Sequence, residues 1–128
     1  MLAQSISTNK FVLYDLEEGL AAQLSQAVSD SGRPFCSAGS ASDCLALAER
    51  LHANVVFCNA KPNQYRPLLA AMKRKGLRLP VVVVSRLPDT SEWLDALEAG
   101  AMDYCGAPFE QRQIQWLLES ASLASHRA

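Results

Sequence analysis

The chain has 128 residues, 49% hydrophobic and 20% charged, with 12 basic against 13 acidic side chains and a net charge of −1. That is enough for one domain with a proper core, and the balance excludes the basic footprint of a nucleic-acid or anionic-membrane binder. No apolar stretch reaches the roughly 20 residues of a membrane span. The polar start, Met1 to Lys10, lacks a signal-peptide core, so a cytoplasmic location is expected.

Short apolar runs and helical patterns alternate five times. Phe11 to Tyr14 reads as a strand, and Glu17 to Ser29 as a helix whose Leu20, Leu24 and Val28 share one face. Ser31-Gly32-Arg33-Pro34 breaks it. Phe35 to Ala38 is a weak second strand. Gly39-Ser40 then opens a helix with Ser or Asp as its cap and an apolar stripe of Cys44, Leu47, Ala48 and Leu51. Val55 to Cys58 is the third strand. Tyr65 to Lys75 is the third helix, with Leu68, Leu69 and Met72 inward, Lys73 to Lys75 solvated and Gly76 as its end.

Val81 to Val84 is an unbroken β-branched run, typical of a strand buried on both faces of a parallel sheet. Asp89-Thr90-Ser91-Glu92 reads as a helix start and Ala99-Gly100 as its end. Ala101 to Cys105 is the fifth strand. Pro108-Phe109-Glu110 begins the last helix, which turns Ile114, Leu117, Leu118 and Ala121 inward. Five βα units with short loops imply an α/β fold, a doubly wound parallel sheet with helices on both faces. The expected organisation is an N-terminal extension (1–9), one domain (10–121) and a small polar tail (122–128) whose end frays.

Cys36, Cys44, Cys58 and Cys105 form no C-x-x-C pair, and only His52 and His126 could join them, so zinc spacing is absent. Reduced thiols are expected, with Cys58 and Cys105 in buried strands.

In such sheets the working crevice lies at the carboxyl ends of the strands. The segments to inspect are Asp15 to Glu18, Cys58 to Lys61, Ser85-Arg86 and Cys105 to Pro108. A phosphate cradle wants a Gly-rich turn after the first strand; Asp15, Glu17 and Glu18 would repel phosphate there. The chain has no P-loop, no dinucleotide fingerprint and no G-x-S-x-G elbow. Asp15-x-Glu17-x-Gly19 lacks the histidine of a cobalamin motif. Glu17 and Glu18 suit a helix N-terminus through the macrodipole.

Leu79-Pro-Val-Val-Val-Val-Ser85, Ala96-Leu-Glu-Ala-Gly-Ala-Met-Asp-Tyr104 and Pro108-Phe109-Glu110 stand in the order and spacing of response-regulator receiver domains. From about Lys10 to Ala121 the chain resembles that family, chemotaxis-regulator-like in fold. The resemblance implies a flavodoxin-like sheet of order 2-1-3-4-5 and a cis peptide before Pro108. It also implies a phosphorylation site: two acids after the first strand, an acceptor aspartate after the third, a hydroxyl after the fourth and a lysine after the fifth, with Mg²⁺ on the acids.

Residue by residue, that site is degenerate. Asp15 matches the first acid, but Leu16 stands for the second. Asn59 stands for the acceptor, Ser85 matches the hydroxyl, and Ala107 replaces the lysine. Pro62 arrives one residue early and the loop after Asn59 is about two residues short. An amide is no nucleophile toward a phosphoryl donor. Ala107 removes the cation that steadies the transferred oxygens. Mg²⁺ wants a carboxylate cluster, so binding at Asp15 is expected to be weak or absent, with no other cofactor. Asp15 has the alternative of capping the first helix or bonding Asn59, and Ser85 of bonding a loop backbone.

The resemblance places Trp93, Tyr104 and Trp116 on the fourth helix, fifth strand and fifth helix, the family's usual dimer and output face. At 100° per residue Trp116 points away from Ile114, Leu117 and Leu118. The expected function is a pseudo-receiver in two-component signalling, not an enzyme, that docks a histidine kinase, an output domain or a second copy of itself. The alternatives are phosphotransfer through an unconventional residue, or sensing of a small ligand in the vacated pocket.

Overall fold

The computed structural model describes residues 10–28 and 35–126. Strands β1 (Phe11–Tyr14), β2 (Phe35–Ala38), β3 (Val55–Asn59), β4 (Val81–Ser85) and β5 (Asp103–Gly106) alternate with helices α1 (Glu18–Val28), α2 (Ala41–Leu51), α3 (Pro62–Lys75), α4 (Thr90–Ala99) and α5 (Gln111–His126). Every ladder is parallel and the order is β2-β1-β3-β4-β5, as expected. The N-terminal extension and the Ser31–Pro34 break lie outside the described residues.

Strand periodicity builds two cores. Phe11, Leu13, Phe57, Val82 and Val84 meet Leu20 and Leu24 of α1 and Ile114 and Leu117 of α5. Val12, Val56, Cys58, Val81 and Val83 meet α2, α3 and α4 through Leu45, Leu68, Met72 and Ala96. Phe11 and Phe57 pack edge to face at 6.1 Å. Val81 to Val84 are at most 1% exposed, the double-sided burial expected of a valine run at the sheet centre.

Helix ends follow local chemistry. Ser40 caps α2, its Oγ accepting from Asp43 N at 3.1 Å. Asp89 caps α4, its Oδ2 accepting from Glu92 N at 3.2 Å. His52, Gly76 and Gly100 close α2, α3 and α4 in the left-handed conformation.

Three boundaries differ from the sequence reading. Helix α3 starts at Pro62 instead of Tyr65, because proline suits the first helical position, where its missing N–H is no loss. Pro67, inside the same helix, does not end it. Strand β5 starts two residues later than expected, since Ala101 and Met102 lead out of the α4 cap with Ala101 N bonded to Ala96 O. Helix α5 runs on to His126 rather than ending in a tail after Ala121, as no glycine or proline stops it. The Ala107–Pro108 bond is cis, as expected.

Candidate functional site

Register brings the carboxyl ends of β1, β3 and β4 to one level: Tyr14 pairs with Ala38 and Cys58, Asn59 with Val84, and Ser85 with Gly106. Just beyond lies a cleft of about 450 Å³ whose walls include Asp15, Leu16, Asn59 and Ser85. Four of the five expected pocket residues are therefore together. The fifth, Ala107, is not among the lining residues. It packs with Leu16 against the α1–α5 core, and its N–H bonds Ser85 O at 2.9 Å. Both apolar side chains are partly buried on that side, Leu16 lining the cleft as well.

Asn59 is buried, and both ends of its amide are hydrogen-bonded. Its Oδ1 accepts from Lys61 N at 2.8 Å, which fixes the amide's orientation. Its Nδ2 donates to Asp15 O at 3.1 Å, to Tyr14 O at 3.5 Å and to the side-chain oxygen of Gln64. The bond to Asp15 runs to its backbone carbonyl, not its carboxylate. The Asp15 side chain is exposed and its backbone is left-handed at φ 52°, a conformation Asp tolerates better than most residues. Asp15 N in turn bonds Ala38 O at 2.9 Å. Asn59 thus ties the ends of β1 and β3 to the first turn of α3.

An aspartate would not fit this hub. A carboxylate has no N–H to offer the carbonyls of Tyr14 and Asp15 or the Gln64 oxygen, and would meet them as like partial charges. Gln64 was missed in the sequence because its helix was placed three residues late; Pro62 at the first helical position was the signal. Glu17 stands exposed just before α1, as expected, and also pairs with Arg86 at 2.8 Å, linking the β1–α1 loop to the β4–α4 loop. Both side chains are about half or more exposed, so the pair adds little stability.

Ser85 is buried at the far wall. It bonds a loop backbone, as one alternative held: Leu87 N donates to its Oγ at 3.2 Å. That Oγ donates in turn to Glu92 Oε1 at 3.3 Å. The same Glu92 oxygen accepts the Tyr104 hydroxyl at 2.5 Å, and Asp89 N donates to that hydroxyl at 3.2 Å. Burial first, and then the Glu92 hydrogen bond, push the Tyr104 phenol above its ordinary pKa.

Tyr104 therefore does not decorate the surface. It is 9% exposed and belongs to the α2–α3–α4 core, because strand alternation turns it inward and the hydroxyl has partners there. Trp93 and Trp116 are outside, 41% and 60% exposed, together with Leu94 and Leu87. On the other flank of α4, Asp95 accepts from the Tyr65 hydroxyl and from Arg66. These two bonds, Tyr65 first, hold its carboxyl below the ordinary range.

The cysteines are reduced: Cys44, Cys58 and Cys105 are buried and Cys36 is partly exposed. Burial pushes the Cys44 and Cys105 thiols up to about 12 and Cys58 further in the same direction. Among the described residues, no helix is long and apolar enough to cross a membrane.

No family model matches the chain. Over 112 residues it is 26% identical to a probable transcriptional regulator, ycf27, of Porphyridium aerugineum, which takes in 87% of this chain but only 47% of that one. The chain therefore spans about half the length of this curated relative. Among solved structures, the receiver domain of NtrX from Brucella abortus superposes with a TM-score of 0.73 at 23% identity, over 88% of this chain and 98% of that one. The beryllofluoride-activated NtrC4 receiver-domain dimer gives 0.73 at 16% identity, over 91% and 98%. The sheet order, the five flanking helices and these superpositions agree that the chain has the fold of a response-regulator receiver domain.

Proposed function

We propose that this domain is a phosphorylation-independent receiver-like module of two-component signalling that acts by docking other proteins. The observation that carries this reading is the Asn59 amide. Its N–H groups are engaged by Asp15 O and Gln64 and its oxygen accepts from Lys61 N; the residue serves as a structural tie, and an amide offers no nucleophile toward a phosphoryl donor. Ala107 brings no cation to the cleft.

The residues present do not fit Mg²⁺. That cation demands near-octahedral oxygen ligands, usually carboxylates and waters. Leu16 has none, Glu17 is paired with Arg86, Glu92 takes the Ser85 and Tyr104 hydroxyls, and among the described residues Asp15 is left as the one cleft carboxylate without such a partner. We read the domain as having no catalytic step of its own.

Docking falls to a surface competent without modification. Trp93 on α4 and Trp116 on α5 flank β5, the edge strand. Exposed tryptophans are uncommon on surfaces that stay wet, and aromatics are enriched at interfaces. The solved NtrC4 receiver is a dimer, and a second copy of this chain, a kinase or an output domain are the partner classes this face would serve.

Incubation with acetyl phosphate and Mg²⁺, followed by intact-mass measurement, tests the reading. The expected result is an unchanged mass. A phosphoryl adduct on any residue overturns it.

A further inference from the structure

The sequence Asp89-x-x-Glu92 has the form of a reciprocal helix cap. In that arrangement the first side chain accepts from the N–H three residues on, and the glutamate carboxylate returns to the N–H of the cap residue. Half of it is present, since Asp89 Oδ2 accepts from Glu92 N. In the other half a side chain from another element intervenes. Asp89 N donates to the Tyr104 hydroxyl at 3.2 Å, and that hydroxyl donates to Glu92 Oε1 at 2.5 Å.

We propose that the Tyr104 hydroxyl is a spliced-in member of the α4 cap, and that Glu92 is the positioning residue that latches the β4–α4 loop and the Tyr104 ring into one arrangement. Glu92 Oε1 also takes the Ser85 Oγ bond, and Ser85 Oγ holds Leu87 N. Through these two hydroxyls one carboxylate oxygen thereby secures the backbone of Leu87 and of Asp89. Pro88, between them, has no N–H to secure and lies against the backbone of Gly106 instead. A Cβ at Gly106 would come within 2.3 Å of Pro88 Cγ, so only glycine lets the loop settle this deeply.

All five residues from Arg86 to Thr90 are solvent-exposed, yet three of them are anchored from beneath. If the ring swung out, the Asp89 N–H would lose its acceptor, and Glu92 would have to close the cap directly. Ring orientation and the start of α4 are therefore coupled, and the groove that Trp93 shares with Pro88, Thr90 and Tyr104 takes its shape from the latch. The inference goes beyond the functional reading above and stands whether or not the domain accepts a phosphoryl group.

Amide exchange followed by NMR on the whole chain tests it. In Glu92→Ala, exchange at Leu87 N and Asp89 N should accelerate at least tenfold, and the Trp93 indole signal should broaden. Glu92→Gln keeps an acceptor oxygen and should restore most of the protection. Adding Tyr104→Phe to Glu92→Ala should accelerate Asp89 no further. Unchanged exchange in Glu92→Ala, or additive effects in the double variant, overturns the latch. Tyr104→Phe alone keeps the ring in the core and supplies a test independent of how Glu92→Ala folds: an Asp89 amide resonance that does not move overturns the proposal as well.

Discussion

The two ends of the cleft are held by different chemistry. At the β1–β3 end an amide hub ties two strand ends to α3, with Leu16 and Ala107 partly buried against the core beside it. At the β4–β5 end the Ser85 and Tyr104 hydroxyls are both bound to one carboxylate of α4. The first end is a tie through one neutral amide. The second is a restraint through one carboxylate oxygen. The comparison predicts that the two ends can be loosened independently, because the Asn59 bonds and the Glu92 bonds share no residue.

The largest effect should come from placing a charge at the first end. Asn59→Asp places a carboxylate against the carbonyl oxygens of Tyr14 and Asp15. Stability should fall by about 3 kcal/mol, the upper range for leaving buried polar groups mismatched, read from the urea midpoint. An equal or higher midpoint would mean that the hub is incidental.

At the second end, Gly106→Ala would drive Pro88 outward. Because the loop is exposed and can shift, the expected loss is about 1–2 kcal/mol, in the lower part of the overpacking range. Exchange at Leu87 and Asp89 should rise while Asn59 keeps its bonds. If both ends respond, they are coupled after all.

Trp116→Ala sharpens the separation of surface from core. The indole is 60% exposed, so the melting temperature should barely change. Self-association or partner binding should weaken more than tenfold, about 1.4 kcal/mol, in sedimentation or pull-down assays. A large drop in melting temperature with unchanged association would contradict this.

The smallest effect at working pH concerns titration. Folding raises the Cys44 and Cys105 pKa values from 9.0 to about 12, and also raises those of Tyr14, Tyr65 and Tyr104, in each case chiefly by burial. Groups raised on folding keep their stabilising contribution below the unfolded pKa and lose it as pH climbs toward the folded one. The urea midpoint should therefore hold through neutral pH and fall from about pH 9 to 12. A midpoint that rises over that window would contradict the burial of these groups.

Much of this was legible from residues alone. The valine run of β4 and the apolar runs of β1 and β3 fixed the sheet's centre, because buried parallel strands have few other sequences open to them. Strand order and the cis bond came through family resemblance, not periodicity. Asp15, Leu16, Asn59 and Ser85 do come together in one cleft, and the Ser85 bond to a loop backbone was among the alternatives, but the Gln64 and Glu92 partners were not foreseen. Gln64 and Glu92 each complete a bond network through a partner distant in sequence or across a helix start placed too late. Tyr104 was expected on the surface because family position suggests an interface, whereas the hydroxyl's two partners show only once α4 is packed on β5.

The central claim is that the Asn59 amide occupies the acceptor position as a closed structural tie. The most direct measurement is the side-chain NH₂ signal of Asn59 in ¹H–¹⁵N spectra, titrated with Mg²⁺ and then beryllofluoride. The account predicts a signal slow to exchange with water and unmoved by either addition, with Ser85 and Tyr104 equally still. A saturable shift at Asn59 that propagates to Tyr104 would show an open acceptor site coupled to the α4 face, and would contradict it.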